Sequence, residues 1–290
     1  MERLIEIRQS MALFFDCGYE YFAEYTSPDI VLNRLLYCMR DGKQQGYTPI
    51  IVVPDEPLLE TFKDNCKDEN DKFNIFSLRK FRTAMLHAEL MDGKDILEKR
   101  LDSLNEQLVE SGVNIKKVVG DFEEAYEGPS NNINALEDIS FNGVFIVKVP
   151  VRYPWQIFAY LPMGDWGICP SNTELMSISK YMYERYQAVP VAMTSNELEF
   201  KVLKPITSEH EAMGAAFEHC PLYPRMFEDF GTIGSYAGTL INSSIWYFVW
   251  PYLTEHKPKN KAPAIKQTSQ THKEFAYTTK QLQRLYGQNN

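Results

Sequence analysis

The chain has 290 residues, 44% of them hydrophobic, with 30 Lys and Arg against 39 Asp and Glu and a formal net charge of −9. That composition can build a core and excludes global disorder, and the length suits one large or two small domains. The charge is unevenly placed: residues 256–290 carry +6 and residues 1–255 carry −15, so the body lacks the basic face that phosphate binding needs and a nucleic-acid-binding body is disfavoured.

Ser27-Pro28-Asp29 reads as a helix start, with Ser27 as N-cap and Pro28 at the first helical position. Val31, Leu32, Leu35, Leu36 and Met39 then fall on one face at helical spacing, and Gly46 ends the run. Pro49 opens a buried strand over Ile50–Val53. Asp55 caps a short helix carrying Leu58, Leu59 and Phe62. Ser77–Met91 and Lys94–Glu110 read as two helices broken at Asp92-Gly93, the second with Ile96, Leu97, Leu101, Leu104 and Leu108 as its apolar stripe.

Residues 121–142, rich in acids, Gly, Pro and Asn, read as a polar linker and the best domain boundary on the chain. Val144–Val149 is a predicted strand, and Trp155–Leu161 a second extended run. A helix follows over Asn172–Tyr186, capped near Ser171 or Asn172, then strands Val189–Thr194 and Leu198–Leu203 joined through Ser195-Asn196-Glu197. Thr207–His219 and Thr232–Asn242 are predicted helices and Ile245–Trp250 is a final aromatic strand. Beyond it only Lys273–Tyr286 has a helical pattern.

The expected fold is α+β, a mixed β-sheet flanked by helices. The expected parts are an N-terminal α/β half over residues 1–120, the linker 121–142, a C-terminal domain over 143–253 and a basic, flexible tail over 254–290. A helix, a proline at the strand start and then a polar turn occur twice, around Pro49 and around Pro190. Two related α/β halves and the mere commonness of helix–loop–strand units both explain this, and base rates favour the second.

The five cysteines (Cys17, Cys38, Cys66, Cys169, Cys220) are odd in number and widely spaced, which argues against a disulfide framework and a Cys-rich zinc site and suits a reducing cytoplasm. The N-terminus has no signal-peptide apolar core, and no run nears the roughly 18 apolar residues of a membrane helix. A cytoplasmic protein with no membrane association, no metal and no cofactor is expected.

Trp155-Gln156-Ile157-Phe158-Ala159-Tyr160-Leu161-Pro162-Met163-Gly164-Asp165-Trp166, then Cys169-Pro170, Tyr186, Ala188-Val189-Pro190, Thr194–Phe200 and Ile245–Trp250 together resemble a bacterial family known as domain of unknown function 4253. The resemblance is strongest over residues 144–251, and the segment Gly46–Glu60 is similar to the N-terminal part of longer members. Three places depart from the family's pattern. Gly167 stands where members tend to have Asn, Leu222-Tyr223-Pro224-Arg225 replaces a Phe-Cys-Pro-Asp run, and Val249-Trp250-Pro251 replaces Trp-Trp-Asp. The aromatic frame stays while polar positions change. The resemblance implies no activity.

Four residues are weak catalytic candidates: Cys169, Glu199, Glu218 and His219. Cys169 precedes a helix start, where a thiol pKa is lowered, but Cys is among the most buried residue types and a small apolar role beside Trp166 is favoured. His210 and His219 lie nine positions apart, half a helical turn out of phase, so with Glu209, Glu211 and Glu218 they make no metal cluster; a solvated acidic face is the plainer reading. Gly231-x-x-Gly234-x-x-x-Gly238 is no phosphate loop and reads as a close-packing device. Trp155, Trp166, Trp246, Trp250 and Tyr247 are candidate binding residues, with Trp246, Phe248 and Trp250 on one strand face and Tyr247 on the other.

Two functions follow as expectations. The first is a non-enzymatic binding protein, of the inhibitor or immunity kind, whose acidic surface meets a basic protein partner. The alternative is a hydrolase or transferase with a site near Cys169, Glu199 and Glu218. A scaffold without a dedicated ligand is a weaker third.

Overall fold

The computed structural model describes residues 2–137 and 142–251. The C-terminal tail expected over 254–290, with the helical pattern at Lys273–Tyr286, lies outside the described residues. The elements, in chain order, are α1 (Glu2–Phe15), β1 (Gly18–Phe22), α2 (Pro28–Gln45), β2 (Thr48–Val52), α3 (Glu56–Asn65), α4 (Ile75–Leu86), α5 (Gly93–Glu110), α6 (Ile115–Val119), β3 (Val144–Val149), α7 (Asn172–Tyr186), β4 (Ala188–Met193), β5 (Glu197–Val202), α8 (Glu209–His219), α9 (Met226–Asp229), α10 (Ile233–Leu240) and β6 (Ile245–Val249).

The strands form one six-stranded mixed sheet in the order β1-β3-β2-β4-β5-β6. Only β2 and β4 pair in parallel; the other neighbours are antiparallel. The fold is therefore α+β, as expected. The central strands β2 and β4 are buried along their whole length, which is why they read as continuous apolar runs. Alternation sorts their side chains: Ile50, Val52, Phe145 and Val147 enter the larger core, under α1, α3, α5, α7 and α8. Ile51, Val53, Val144 and Ile146 enter a smaller one under α2 and residues 133–136.

The two helix–strand units around Pro49 and Pro190 do lie side by side, through the β2–β4 pair, but α2 covers the smaller core and α7 the larger. Pro190 sits at a register shift between Pro190 and Ala192, a bulge where a missing N–H leaves the ladder little worse off. The boundary expected at 121–142 falls inside a single sheet, because β3 lies between β1 and β2.

Caps mark most helix starts. Asp55, Ser171, Ser208 and Thr232 each accept a backbone N–H of the helix they begin, and Ser171 with Glu174 makes a reciprocal pair. Ser27 occupies the N-cap of α2 without a side-chain bond. Asn74, with Ser77, caps α4, so this helix starts earlier and ends earlier than predicted. The run at Trp155 is not extended: Pro154–Ala159 is a 3₁₀ helix with proline at its start, where a fixed φ suits a helical turn.

Arg82 of α4 is buried. Its guanidinium donates to the Phe14 and Phe15 carbonyls at 2.8 and 3.0 Å, satisfying the open C-terminal end of α1. It also lies over the Tyr160 ring, 4.5 Å from the centroid. Replacing Arg82 with Met keeps the volume but leaves those carbonyls unmet, which costs about 1–3 kcal/mol. Urea unfolding should show a lower midpoint for R82M than for R82K; equal midpoints for R82M and wild type would contradict the assigned role.

Candidate functional site

The segment 121–130 crosses one end of the sheet as a wall. It reaches that place through α10, where a Cβ on Gly234 would stand 1.8 Å from the Asp121 carbonyl oxygen and one on Gly238 1.8 Å from that of Glu123. No side chain fits in either gap, so the pair of glycines lets backbone lie directly on helix. The Glu123 N–H donates to the Gly234 carbonyl at 3.3 Å, and the Ser235 hydroxyl donates to the Glu123 carboxylate at 2.7 Å. Farther along, the Ser130 carbonyl accepts from the Ser244 and Ile245 N–H groups, tying the wall to β6.

Between this wall, α10 and β6 runs a groove of about 740 Å³. Glu123, Glu124, Glu127 and Asp229 line it, with Tyr126, Tyr223, Phe230, Tyr236, Trp246 and Tyr247, and no Lys, Arg or His does. Glu123, Glu124 and Glu127 are exposed, and Tyr126 is fully so. Asp229 is already engaged: the Tyr223 hydroxyl and Arg225 donate to it at 2.8 and 2.9 Å. Carboxylates beside aromatic faces are the chemistry that receives a cation, by charge and by the ring quadrupole.

The wall's far end rests on a buried carboxylate. Glu199 of β5 is 1% exposed and accepts from the Asn134 and Ala135 N–H groups, both at 2.8 Å. Burial pushes its pKa up to about 7, against the pull of those two bonds, with Glu197 and Glu137 adding like charge. It is an anchor for the turn that follows the wall.

The five aromatic binding candidates divide. Trp246 and Tyr247 line the groove. Trp250 is buried in the core. Trp155 stacks on Tyr153 with centroids 4.8 Å apart and packs near Tyr183 of α7. Trp166 donates its indole N–H to the Met163 carbonyl at 2.7 Å.

Trp166 thereby joins a loop that closes on itself. Asp165 accepts from the Asn172 backbone and side-chain amides, and Asn172 in turn accepts from the Gly164 N–H. The densest stretch of the motif shared with the family is thus engaged in holding its own turn. Gly167 has φ +51; Asn and Gly are the residues that visit this left-handed region most readily, so Gly there preserves the turn.

The catalytic candidates lie apart. Cys169 is buried near the start of α7, with Arg100, Asp165 and Glu174 around it, and burial drives its thiol pKa well up. That is the reverse of an activated nucleophile. Glu218 meets the later part of the same helix, accepting from the Tyr181 and Tyr186 hydroxyls at 2.7 and 2.9 Å beside Arg185 at 3.3 Å. From Ser171 to Tyr181 is roughly 15 Å along α7 at ~1.5 Å per residue. Glu211 is exposed but the Glu218 side chain is only 16% so, so the solvated acidic face expected of these glutamates does not extend to Glu218.

His219 is 0% exposed. Its Nδ1 lies 2.9 Å from the Tyr236 hydroxyl and its ring packs edge-to-face on Trp246 and Phe248, so burial holds its pKa down at about 3. Among the described residues no three His, Cys, Asp or Glu side chains are grouped to hold a metal ion, and no helix is long and apolar enough to cross a membrane.

Two outcomes are expected. Gly234→Ala pushes the wall off α10, so a Glu-specific protease should cut at Glu123, Glu124 or Glu127 several-fold faster than in wild type; an unchanged rate would contradict the glycine argument. Glu199 has a folded pKa above its ordinary value of 4.5, so the folded state holds its proton longer and stability falls as pH rises from about 4.5 through 7. His219, with a depressed pKa, has the opposite slope below its ordinary 6.5, so the difference between wild type and Glu199→Gln is the quantity to read. From pH 5 to 8 the Tm of wild type should drop relative to E199Q, and parallel curves would contradict the shift.

No curated protein and no solved structure matches the chain. Residues 145–251, which run from β3 to the end of β6 and leave the acidic wall outside, match the family model described as Domain of unknown function (DUF4253).

Proposed function

We propose that this is a non-enzymatic binding protein that takes a basic protein partner on its acidic surface, in the manner of an inhibitor or immunity protein. The observation that carries the reading is the groove beside β6, with four carboxylates, an aromatic lining and no cationic side chain on its walls. Charge of one sign in a concave site speeds association with the opposite sign and rejects like-charged partners, and buried or half-buried Tyr and Trp are the usual anchors of such contacts. The −15 body extends the same field over the molecule. All five cysteines are free, which suits action in a reducing cytoplasm. A hydrolase or transferase site near Cys169, Glu199 and Glu218 draws no support from the geometry: the thiol is buried and its pKa raised, and Glu199 and Glu218 are each engaged with different neighbours.

The test compares wild type with Glu123→Lys/Glu124→Lys/Glu127→Lys in affinity capture from the native host. The reading predicts a basic protein that wild type retains at 50 mM salt, loses at about 500 mM as screening shortens the field, and that the triple variant does not retain. Equal capture by both proteins, or capture of acidic proteins alone, would overturn it.

A further inference from the structure

We infer that the partner enters the groove as an extended cationic segment whose backbone pairs with the outer edge of β6. This rests on the acidic-groove reading and specifies how the partner is held. The sheet ends at β6, and no strand lies beyond it among the described residues. Its hydrogen-bond phase is fixed by two contacts: the Val202 N–H donates to the Ser244 carbonyl at 2.8 Å, and the Trp250 N–H donates to the Asn196 carbonyl at 2.9 Å. Residues 246, 248 and 250 therefore turn their backbone groups to the β5 side, as does the Ser244 carbonyl, and 245, 247 and 249 turn theirs outward; the Ser244 N–H leaves the ladder for the Ser130 carbonyl at 3.0 Å. The Ile245 N–H, on the outward row, also meets the Ser130 carbonyl, at 3.1 Å.

Tyr247 comes next on that outer row. It is half-buried between the buried Ile245 and Val249; its N–H and C=O face the groove side with no partner strand among the described residues, and an edge without a partner strand is a template for strand addition. The Ser130 carbonyl already takes the Ser244 and Ile245 N–H groups at the start of the strand. A second unmet group lies behind the same surface: Trp246 lines the groove, is 1% exposed, and its indole N–H has no acceptor among the described residues. In an added strand alternate side chains point the same way, so a segment alternating Lys or Arg with a β-branched residue sets its cations against Glu123, Glu124 and Glu127 while its backbone meets Tyr247.

The probe is a fluorescein-labelled (Lys-Val)4 peptide, with a copy N-methylated on alternate amides so that it keeps its charge but loses one pairing edge. Binding to the full chain is read by fluorescence anisotropy. Tyr247→Pro removes the outward N–H and leaves the β5 ladder its bonds, as proline on an edge strand does; Tyr247→Ala removes the same side chain and keeps the N–H. Edge pairing predicts at least tenfold weaker binding for the N-methylated peptide on wild type and, for the plain peptide, binding to Y247P at least tenfold weaker than to Y247A. If E123Q/E124Q/E127Q weakens binding tenfold while N-methylation and Y247P do not, strand pairing is overturned and the acidic groove stands. If Y247A is as weak as Y247P with unchanged response to N-methylation, the side chain and not the backbone makes the contact, which also overturns it. Absence of any binding of (Lys-Val)4 overturns strand pairing, leaving the capture experiment to judge the groove. The N-methylated arm uses wild-type protein and so holds even if Y247P does not fold.

Discussion

The contact between the 121–125 backbone and α10 is the constraint on which the site depends. Two carbonyls approach the helix so closely that a single Cβ at Gly234 or Gly238 could not be placed. Backbone against backbone leaves the neighbouring side chains no choice of direction, so Glu123, Glu124, Tyr126 and Glu127 stand along the groove. Several acidic residues at one edge repel each other; what holds the segment there is a set of hydrogen bonds through Gly234, Ser235 and Ser130.

Beneath the wall lies a second unusual choice. Glu199 is a carboxylate in the smaller core, met by two amide N–H groups and no cation. Such a group disfavours its own charge, yet it fixes the turn by which the chain returns from the wall to the sheet. The two features join residues far apart in sequence: the wall precedes β3, and its supports come from β5, α10 and β6. The family match covers the supports and not the wall.

Much of the fold was legible locally. Period-two and period-3.6 patterns placed β2, β3, β4, β5 and β6, and capping residues such as Asp55, Ser171 and Ser208 placed helix starts. α1, β1 and α6 went unseen. β1 is an edge strand on which Tyr19 and Tyr21 are partly exposed, and so lacks a buried apolar run. Arg82 inside a helical pattern gave no sign that it would be buried over a helix end, because that depends on where α1 stops. The glycines of α10 did read as a close approach, but their partner, the polar 121–130 segment, read as a linker: polarity signals exposure and cannot tell a free loop from a wall with one side bound. Alternation correctly opposed Trp246 to Tyr247, whereas the grouping of Trp155 and Trp166 with them rested on composition alone, and the helix and the loop that hold those two lie elsewhere in the fold.

Native-state hydrogen exchange resolved at single amides tests the arrangement most directly. If the wall is part of the folded body, the Glu123 amide, bonded to Gly234, and the Ile245 amide, bonded to Ser130, will exchange only through openings as costly as those that release the β5–β6 ladder. If both exchange at the rate of an unstructured peptide while the ladder stays protected, the acidic segment is a free loop and there is no groove.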